Sequence, residues 1–247
     1  MQFNEEIILK GLNLASFDLK THQLIDSTND ECKRISSNKD FLVVTADKQT
    51  KGKGRKGKKW HSPKGNISLS IAFADREFDV PISIATGILV KDALTEVFNL
   101  DSIKLKWPND LVFEKKKIGG ILVEKEVFSN HTKAIVGIGI NLELDKKESW
   151  WGDFGDLNGK NLRDKIINKI LVKFEALFSD GLNDWKNLWN QSCIHNDAII
   201  SVARNDEIIK GKYLGINDSG ELLLEKKIGE IISFSSGEVS IKGIYNK

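Results

Sequence analysis

The sequence feature that most restricts the fold is a basic, glycine-rich segment at residues 48–59. It contains seven lysine or arginine residues and no acidic residue, whereas the whole chain of 247 residues has a net charge of only +2. Its glycines at 52, 54 and 57 permit positive φ angles and let backbone N–H groups approach a ligand closely. We therefore expect a loop at this place that meets an anionic ligand.

Two common nucleotide-binding motifs fit this segment in their letters alone. Gly52 to Gly57 matches GxGxxG, and Gly52 to Lys58 matches GxxxxGK. Both motifs require a helix directly after the loop, with its N-terminus facing the phosphates. Here residues 66–73 alternate apolar and small polar side chains, which predicts a strand. The P-loop hydroxyl is also missing, because Lys59 occupies its position. The sequence therefore disfavours both the Rossmann and the P-loop fold.

Composition excludes several classes of protein. Hydrophobic residues make up 40% of the chain and charged residues 29%, which is sufficient for a packed core. No apolar run reaches the roughly 18 residues of a membrane span, and Glu5 and Glu6 lie where a secretory signal is basic. Two cysteines and four histidines lack the spacing of a disulfide scaffold or a metal site. We expect a cytoplasmic protein without a membrane partner.

Periodicity predicts mixed strands and helices in a main domain at residues 1–193. Strands are predicted at 23–25, 41–45, 66–73, 103–107, 117–127 and 134–140. Helices are predicted near 28–36, from Pro81 or Ser83 to Phe98, over 162–178, where the 3.6-residue period is clearest, and after Gly181.

The pattern changes to short strands in the C-terminal part, which we assign to a second domain at residues 194–247. Strands are predicted at 199–203, 207–214, 221–225 and 231–234. Turns rich in glycine, asparagine, aspartate and serine separate them, at 205–206, 217–220 and 235–237. This spacing is typical of a small β-barrel, which would need to pack on the main domain because about 50 residues form a small core.

Four further motifs accompany the basic segment in a fixed order. They are Asp26–Asn29, Lys106–Asp110, Lys117–Glu124 and Gly137–Asn141. Together with residues 49–60 they resemble the biotin protein ligase family over residues 26–141. The resemblance implies an α/β (α+β) protein with a mixed-sheet catalytic domain of the class II synthetase/biotin-ligase type. It also implies a small SH3-like C-terminal β-barrel.

The family resemblance implies a two-step ligase reaction. Biotin and ATP, with Mg²⁺, would give biotinyl-5′-AMP and pyrophosphate, and biotin would then pass to a specific lysine of a biotin carboxyl carrier protein. A carboxylate attacking an α-phosphate accumulates negative charge, so it needs positioning and cationic stabilisation rather than a covalent nucleophile. Only 25 residues precede Asp26, so we expect no sequence-specific DNA binding. The sequence does not decide the oligomeric state, so a monomer and a homodimer both stay open.

The resemblance also implies roles for individual residues. Lys117 and Arg55 are the expected catalytic residues. The residues expected to bind biotin or biotinyl-AMP are Ser27, Thr28, Asn29, Gln49, Gly52, Lys53, Gly54, Arg55, Trp60 and Lys117. Those expected to bind the nucleotide are Lys53, Trp107, Asn109, Asp110 and Asn141. No metal ligands are assigned.

Two positions depart from the family pattern. Lys53 and Lys58 stand where arginine is common, and a lysine offers a point charge instead of a bidentate fork, which would weaken the grip on phosphate or carboxylate. Structural explanations stay open at other positions. Ser27 is also a candidate helix N-cap, Lys117 ends a run of three lysines, and Asn109–Asp110 also fits an ordinary turn.

Two other functions stay open at this point. The first is lipoate ligation, which uses the same adenylation chemistry on a similar fold, although the loop and Lys106–Asp110 favour biotin. The second is non-enzymatic binding of nucleic acid by the basic loop and the β-barrel, which predicts salt-dependent binding to random oligonucleotides.

Overall fold

The computed structural model describes residues 2–145, 148–204, 207–236 and 239–242, the last of these as backbone. The helices are α1 (Glu5–Ile8), α2 (Thr28–Arg34), α3 (Ile82–Phe98), α4 (Arg163–Asp180) and α5 (Trp185–Ser192). The strands of the main domain are β1 (Phe17–His22), β2 (Phe41–Ala46), β3 (Ile67–Ala74), β4 (Lys104–Lys106), β5 (Asp110–Phe113), β6 (Lys116–Val127) and β7 (Thr132–Ile140). The C-terminal strands are β8 (Ile199–Arg204), β9 (Glu207–Ile216), β10 (Leu222–Lys227), β11 (Glu230–Phe234) and β12 (Val239–Lys242).

A seven-stranded mixed sheet forms the centre of the main domain, in the order β1-β2-β3-β7-β6-β5-β4. Strands β1 and β2 pair in parallel, and the other neighbours pair antiparallel. Alternate residues of β2 are buried on opposite faces, because side chains alternate along a strand. Phe41 and Val43 join the large core with α3 and α4, whereas Leu42 and Val44 join a small cluster with Cys32 of α2. The sheet is therefore covered on both faces.

Helix α2 is fixed at both ends by side chains. The Ser27 hydroxyl accepts a hydrogen bond from the Asp30 amide at 3.4 Å, so Ser27 is the N-cap that the sequence suggested. At the other end the Lys133 ammonium donates to the carbonyl oxygens of Cys32 and Ile35. A cation at a helix C-terminus satisfies carbonyls that lack partners within the helix. Residues 28 and 29 are thereby held at the start of a helix with fixed ends.

Most predicted elements are confirmed; in the main domain one predicted strand is wrong and two elements, α1 and β5, were not predicted. The strand predicted at 23–25 is wrong, because the chain pairs earlier as β1, and Ile25 forms only an isolated bridge to Gln49. Helix α1 and strand β5 were not predicted. Helix α1 is a single turn, too short to show a helical period, and β5 directly follows a motif that fits an ordinary turn.

The C-terminal strands form an antiparallel sheet in the order β11-β10-β9-β8-β12. Among the described residues β11 and β12 lie at opposite edges, so the predicted SH3-like barrel is an open sheet, and its fifth strand, β12, was not predicted. Its core side chains, including Tyr213 and Phe234, belong to the same hydrophobic cluster as Trp107 of the main domain. The predicted turn at 205–206 and residue 237 lie outside the described residues, and the boundary between 193 and 194 stays a prediction.

Among the described residues, none of the helices combines the length and the apolar character that spanning a bilayer requires.

Because His195 is buried, we expect the folded protein to lose stability in acid. His195 is 1% exposed, and burial, together with the nearby charge of Lys106, lowers its pKa to about 3. In the unfolded chain the pKa of His195 is near 6.5. Below that pH His195 therefore binds a proton in the unfolded chain that it does not bind in the folded chain. Stability is fully present above pH 6.5 and falls as the pH drops toward 3. Between pH 7 and pH 5 this one group is expected to lower the free energy of unfolding by about 2 kcal/mol.

Urea denaturation of His195→Gln and the unchanged protein at pH 7 and pH 5 measures this contribution. We expect the variant to lose less stability on acidification. His131→Gln is the control, because His131 is exposed on the β6–β7 turn. Equal losses in the His195 variant and the unchanged protein would contradict the assignment.

Candidate functional site

The motifs singled out in the sequence meet at one cavity of about 480 Å³. It lies between the start of α2, the basic loop and the glycine-containing parts of β6 and β7. The predicted site residues that line it are Ser27, Thr28, Asn29, Gln49, Lys53, Gly54, Arg55, Trp60, Trp107, Asn109, Asp110, Lys117 and Asn141. Gly52 does not line the cavity. A Cβ there would lie 2.6 Å from the Trp60 carbonyl oxygen, so Gly52 allows a close backbone approach within the loop.

One end of the cavity is a network of short polar side chains. The Thr28 amide donates to Gln49 Oε1 at 2.8 Å. The Ser70 hydroxyl lies 2.7 Å from Thr28 Oγ1 and 2.6 Å from Asn29 Oδ1. Asn29 Nδ2 donates to Glu124 Oε2 of β6 at 2.7 Å. These contacts fix donors and acceptors in place, which suits a small ring with one carbonyl and two N–H groups.

Glycines of β6 and β7 shape the middle of the cavity. A Cβ on Gly137 would lie 2.3 Å from Asn29 Oδ1, and one on Gly139 would lie 2.5 Å from the Trp60 ring. Gly120 pairs with Gly139 across the strands, and its missing Cβ would meet both Lys117 and Trp60 at 3.5 Å. Each step of two residues along a strand covers about 7 Å. The polar network therefore lies one such step along β7 from the Trp60 ring, and the Lys117 ammonium lies beside that ring, at the Gly120–Gly139 pair.

Two lysines share one carboxylate at the cationic end. Lys117 Nζ lies 2.5 Å from Asp110 Oδ1, and Lys106 Nζ lies 3.9 Å from Asp110 Oδ2. Burial lowers the pKa of Lys106; the charges of Lys117 and Lys58 act in the same direction, whereas Asp110 opposes them. Of the described residues that line the cavity, Asp110 alone is acidic. The lining therefore carries excess positive charge, which favours an anionic ligand.

The basic loop folds over the cavity as a small hairpin. Lys53 and Lys59 form an isolated antiparallel bridge, and the Gly54 amide donates to the Lys58 carbonyl at 2.7 Å. At the tip Lys56 adopts a left-handed conformation with φ of 55°. Arg55 Nη1 donates to Asn109 Oδ1 at 3.0 Å, and Nη2 donates to the Ser236 carbonyl of the C-terminal domain. Arg55 therefore joins the loop to both domains.

Three predicted nucleotide residues also hold the walls of the cavity. Trp107 is 1% exposed and donates through Nε1 to the Gly220 carbonyl at 3.0 Å. Asn109 Nδ2 donates to the Ile121 carbonyl at 2.8 Å, and Asn141 Nδ2 donates to the Gly152 carbonyl at 3.0 Å. These contacts are structural, and the nucleotide roles of the three residues stay predictions.

Two family profiles match this chain. That of the biotin/lipoate A/B protein ligase family covers residues 20–141, and that of the biotin protein ligase C-terminal domain covers residues 199–242. The bifunctional ligase/repressor BirA of Salmonella typhimurium is 30% identical over 93% of this chain and 76% of its own length. The chain belongs to the biotin protein ligase family.

Other biotin protein ligases are similar over most of their length. The biotin–[acetyl-CoA-carboxylase] ligase of Mycobacterium tuberculosis is 27% identical over 81% of this chain and 79% of its own. A solved structure, the biotin protein ligase from Aquifex aeolicus in complex with biotin and ATP, matches with a TM-score of 0.73 and 26% identity. The match covers 91% of this chain and 98% of that one, which confirms the expected fold class.

Several site residues of this biotin protein ligase were not predicted. Lys106 belongs to a recognised motif but was given no role; its place at the end of a strand that enters the core was the available signal. Trp150 and Trp151 line the cavity mouth, where the Trp150 carbonyl accepts from the Lys117 amide at 2.9 Å. Two adjacent tryptophans carry no periodic signal. Glu124 is the last residue of the motif Lys117–Glu124. Its contact with Asn29 could not be predicted from the motif, because the two residues lie 95 positions apart in the chain.

Proposed function

We infer that this chain is an ATP-dependent biotin protein ligase, which activates biotin to biotinyl-5′-AMP and transfers it to a protein lysine. The observation that carries this function is the order of groups along β6 and β7. A rigid hydrogen-bonding end is followed by the Trp60 wall, and two lysines that share one acid lie beside that wall. That order matches a ureido ring, an aliphatic chain and a carboxylate next to a phosphate.

Activation begins with biotin bound at the polar end. The small side chains of Thr28, Asn29 and Gln49 would hold the ring, and Trp60 would cover the aliphatic chain. A carboxylate oxygen of biotin attacks the α-phosphorus of ATP, the bond from that phosphorus to the bridging oxygen breaks, and pyrophosphate leaves. Lys117 would turn from Asp110 toward the carboxylate and the α-phosphate, where charge develops. Arg55 would close over the product and exclude water.

Transfer uses the same cavity. The amine of the acceptor lysine attacks the acyl carbon of biotinyl-5′-AMP, the carbon–oxygen bond to phosphate breaks, and AMP leaves as the amine loses a proton. The acceptor that we propose is a biotin carboxyl carrier protein of acetyl-CoA carboxylase or a similar enzyme. The name of the Mycobacterium tuberculosis relative, a biotin–[acetyl-CoA-carboxylase] ligase, supports this choice.

Mg²⁺ would enter with ATP rather than occupy a site built by the protein. No group of three or more histidine, cysteine or acidic side chains suited to a metal occurs among the described residues. Nucleotide-bound Mg²⁺ commonly uses one or two carboxylates plus phosphate oxygens, so Asp110 fits as a single ligand. Bound there, Mg²⁺ would neutralise phosphate charge. Cys32 and Cys193 are buried free thiols, which fits the reducing cytoplasm that we propose as the location.

The other two functions are less well supported. Lipoate has no ureido ring, so it would bring no matching donors and acceptors to the polar end of the cavity. Nucleic-acid binding requires a basic outer surface. Here the basic residues Lys53 and Arg55 line the cavity and are held there by Asp30 and Asn109.

Release of pyrophosphate that depends on both biotin and ATP tests the proposed function. With Mg²⁺ present, we expect release with biotin and none above background with lipoate. Isothermal titration with each acid provides the second measurement. Release without biotin, or tight binding of lipoate without binding of biotin, would contradict the assignment.

Arg55→Gly tests the role of the loop in retaining the adenylate. The substitution removes the contacts to Asn109 and Ser236, and charge-assisted hydrogen bonds contribute about 1.5–3 kcal/mol. We expect biotinyl-5′-AMP to escape about tenfold faster or more, so that lysines of added bystander proteins become biotinylated. Arg55→Lys is the control, because it keeps the charge. If bystander labelling is unchanged in Arg55→Gly, Arg55 does not help to close the site over the adenylate.

A further inference from the structure

Lys53, where this chain departs from the family arginine, is held by an acid of helix α2. Lys53 Nζ lies 2.5 Å from Asp30 Oδ1. Asp30 is at the third position of a helix whose N-cap is Ser27, so its carboxylate belongs to a fixed element. Lys53 lines the cavity, and α2, which carries Asp30, begins at the polar end of the cavity. The pair is thus a contact between the loop and the wall that it covers.

This ion pair is one end of a continuous polar chain. Lys33 Nζ lies 3.9 Å from Asp30 Oδ1 and 2.8 Å from Glu124 Oε1. The other oxygen of Glu124 accepts from Asn29, which lies against Gly137. Burial acts to raise the pKa of Glu124, but the hydrogen bonds from Lys33 and Asn29 outweigh it, so the pKa is lowered and the group is ionised. The loop lysine is therefore connected to the base of the polar network.

We propose that Asp30 is a positioning residue for the reaction: it holds Lys53 at the mouth of the cavity and thereby keeps the basic loop over the biotin end before ligand arrives. A lysine has a flexible stem and makes no bidentate contact, so an isolated Lys53 would sample many rotamers. Asp30 restricts that freedom and orients the ammonium between the helix and the cavity. The effect on ligands rests on the proposed function, whereas the effect on the empty loop does not.

Trypsin digestion of the ligand-free protein tests the loop directly. Asp30→Asn keeps the shape of the side chain and removes its charge without removing a cleavage site. We expect cleavage within residues 51–59 to become about threefold faster, the size expected for a partly exposed ion pair. Salt should speed cleavage in the unchanged protein and have little effect in Asp30→Asn. Asp30→Glu should restore protection.

Asp75→Asn is the matched control. It removes the Lys125–Asp75 pair, whose 2.6 Å separation and side-chain exposures of 54% and 18% resemble the 2.5 Å, 41% and 22% of Lys53 and Asp30. That pair does not line the cavity. Its loss should leave loop cleavage unchanged. Equal cleavage rates in Asp30→Asn and Asp75→Asn would overturn the proposal even if biotin-dependent pyrophosphate release is intact.

Ligand kinetics separate positioning from a general loss of structure. In Asp30→Asn we expect the KM for biotin and the rate of biotinyl-5′-AMP release to rise about threefold, with kcat at saturating substrates within a factor of two. Lys53→Met, which also removes a cation from the cavity lining, should raise both values at least as much, and the double variant should be no worse than Lys53→Met alone, because Asp30 acts through Lys53. Additive effects would show that Asp30 acts independently of Lys53, and slower release in Asp30→Asn would show that Asp30 competes with the ligand for Lys53; either result would overturn the proposal.

Discussion

Lys117→Ala is expected to slow biotin-dependent pyrophosphate release by at least about 100-fold, the effect of losing one preorganised charge donor in an active site. The Lys117 ammonium lies against the Trp60 ring, 5.6 Å from its centroid, and its neighbour Gly120 leaves room for it. Its present partner is Asp110, at 2.5 Å. An arriving carboxylate and phosphate would compete with that single acid for the ammonium. Alanine removes the charge at the point where charge develops.

Single-turnover formation of biotinyl-5′-AMP from saturating biotin and ATP measures this effect. Lys116→Ala is the matched control, because Lys116 is the exposed neighbour in the same run of lysines and does not line the cavity. It should react at the normal rate. If Lys117→Ala also reacts normally, Lys117 is an ordinary surface lysine.

Gly137→Ala is expected to weaken biotin binding by about tenfold or more, because the new Cβ would overlap Asn29 at the polar end. A Cβ at position 137 would lie 2.3 Å from Asn29 Oδ1, well inside van der Waals contact. Neither the backbone at Gly137 nor the side chain of Asn29 can move away easily. Gly137 lies within β7 between two paired strands, and Asn29 is bound to both Ser70 and Glu124. Overpacking of this kind costs about 1–3 kcal/mol, and 1.4 kcal/mol corresponds to about tenfold in affinity.

Gly87→Ala is the control for this substitution. Gly87 is buried in α3, and a Cβ there would meet no atom closer than 3.6 Å, so the variant should fold and bind biotin normally. Isothermal titration with biotin, together with thermal denaturation, distinguishes a local from a global effect. Normal biotin affinity in a folded Gly137→Ala protein would place the ring elsewhere in the cavity.

Strand and helix positions were predictable where burial repeats along the chain. Strands β2, β3, β6 and β7 and helices α3 and α4 lie close to the predicted ranges, because each buries a continuous stripe or face. Strand β1 was missed because its sequence, Phe-Asp-Leu-Lys-Thr-His, is mostly polar and partly exposed at the edge of the sheet. The C-terminal strands β8 to β11 were predicted from their spacing and β12 was not, and spacing does not show how the edges of short strands pair.

The sequence predicted which residues line the candidate site but not how they are arranged there. Thirteen of the predicted residues line one cavity, since each sits in a motif with restricted local chemistry. Gly52 was placed in the site by the family resemblance, whereas here it allows the close approach of the Trp60 backbone. The pairing of Lys53 with Asp30, and of Lys117 with Asp110, had no signal in the motifs.

The sequence by itself determined the chemistry available to this protein: a cationic loop with glycines, short polar groups at a helix start, and lysines at strand ends. Residue type and local spacing suffice for this, because propensity and charge are local properties. The tertiary structure alone decided which groups meet. Asn29 contacts Glu124 from 95 positions away, and Arg55 reaches Ser236 from 181 positions away. Such contacts depend on strand order and register, which are fixed by burial of the whole core rather than by any one segment.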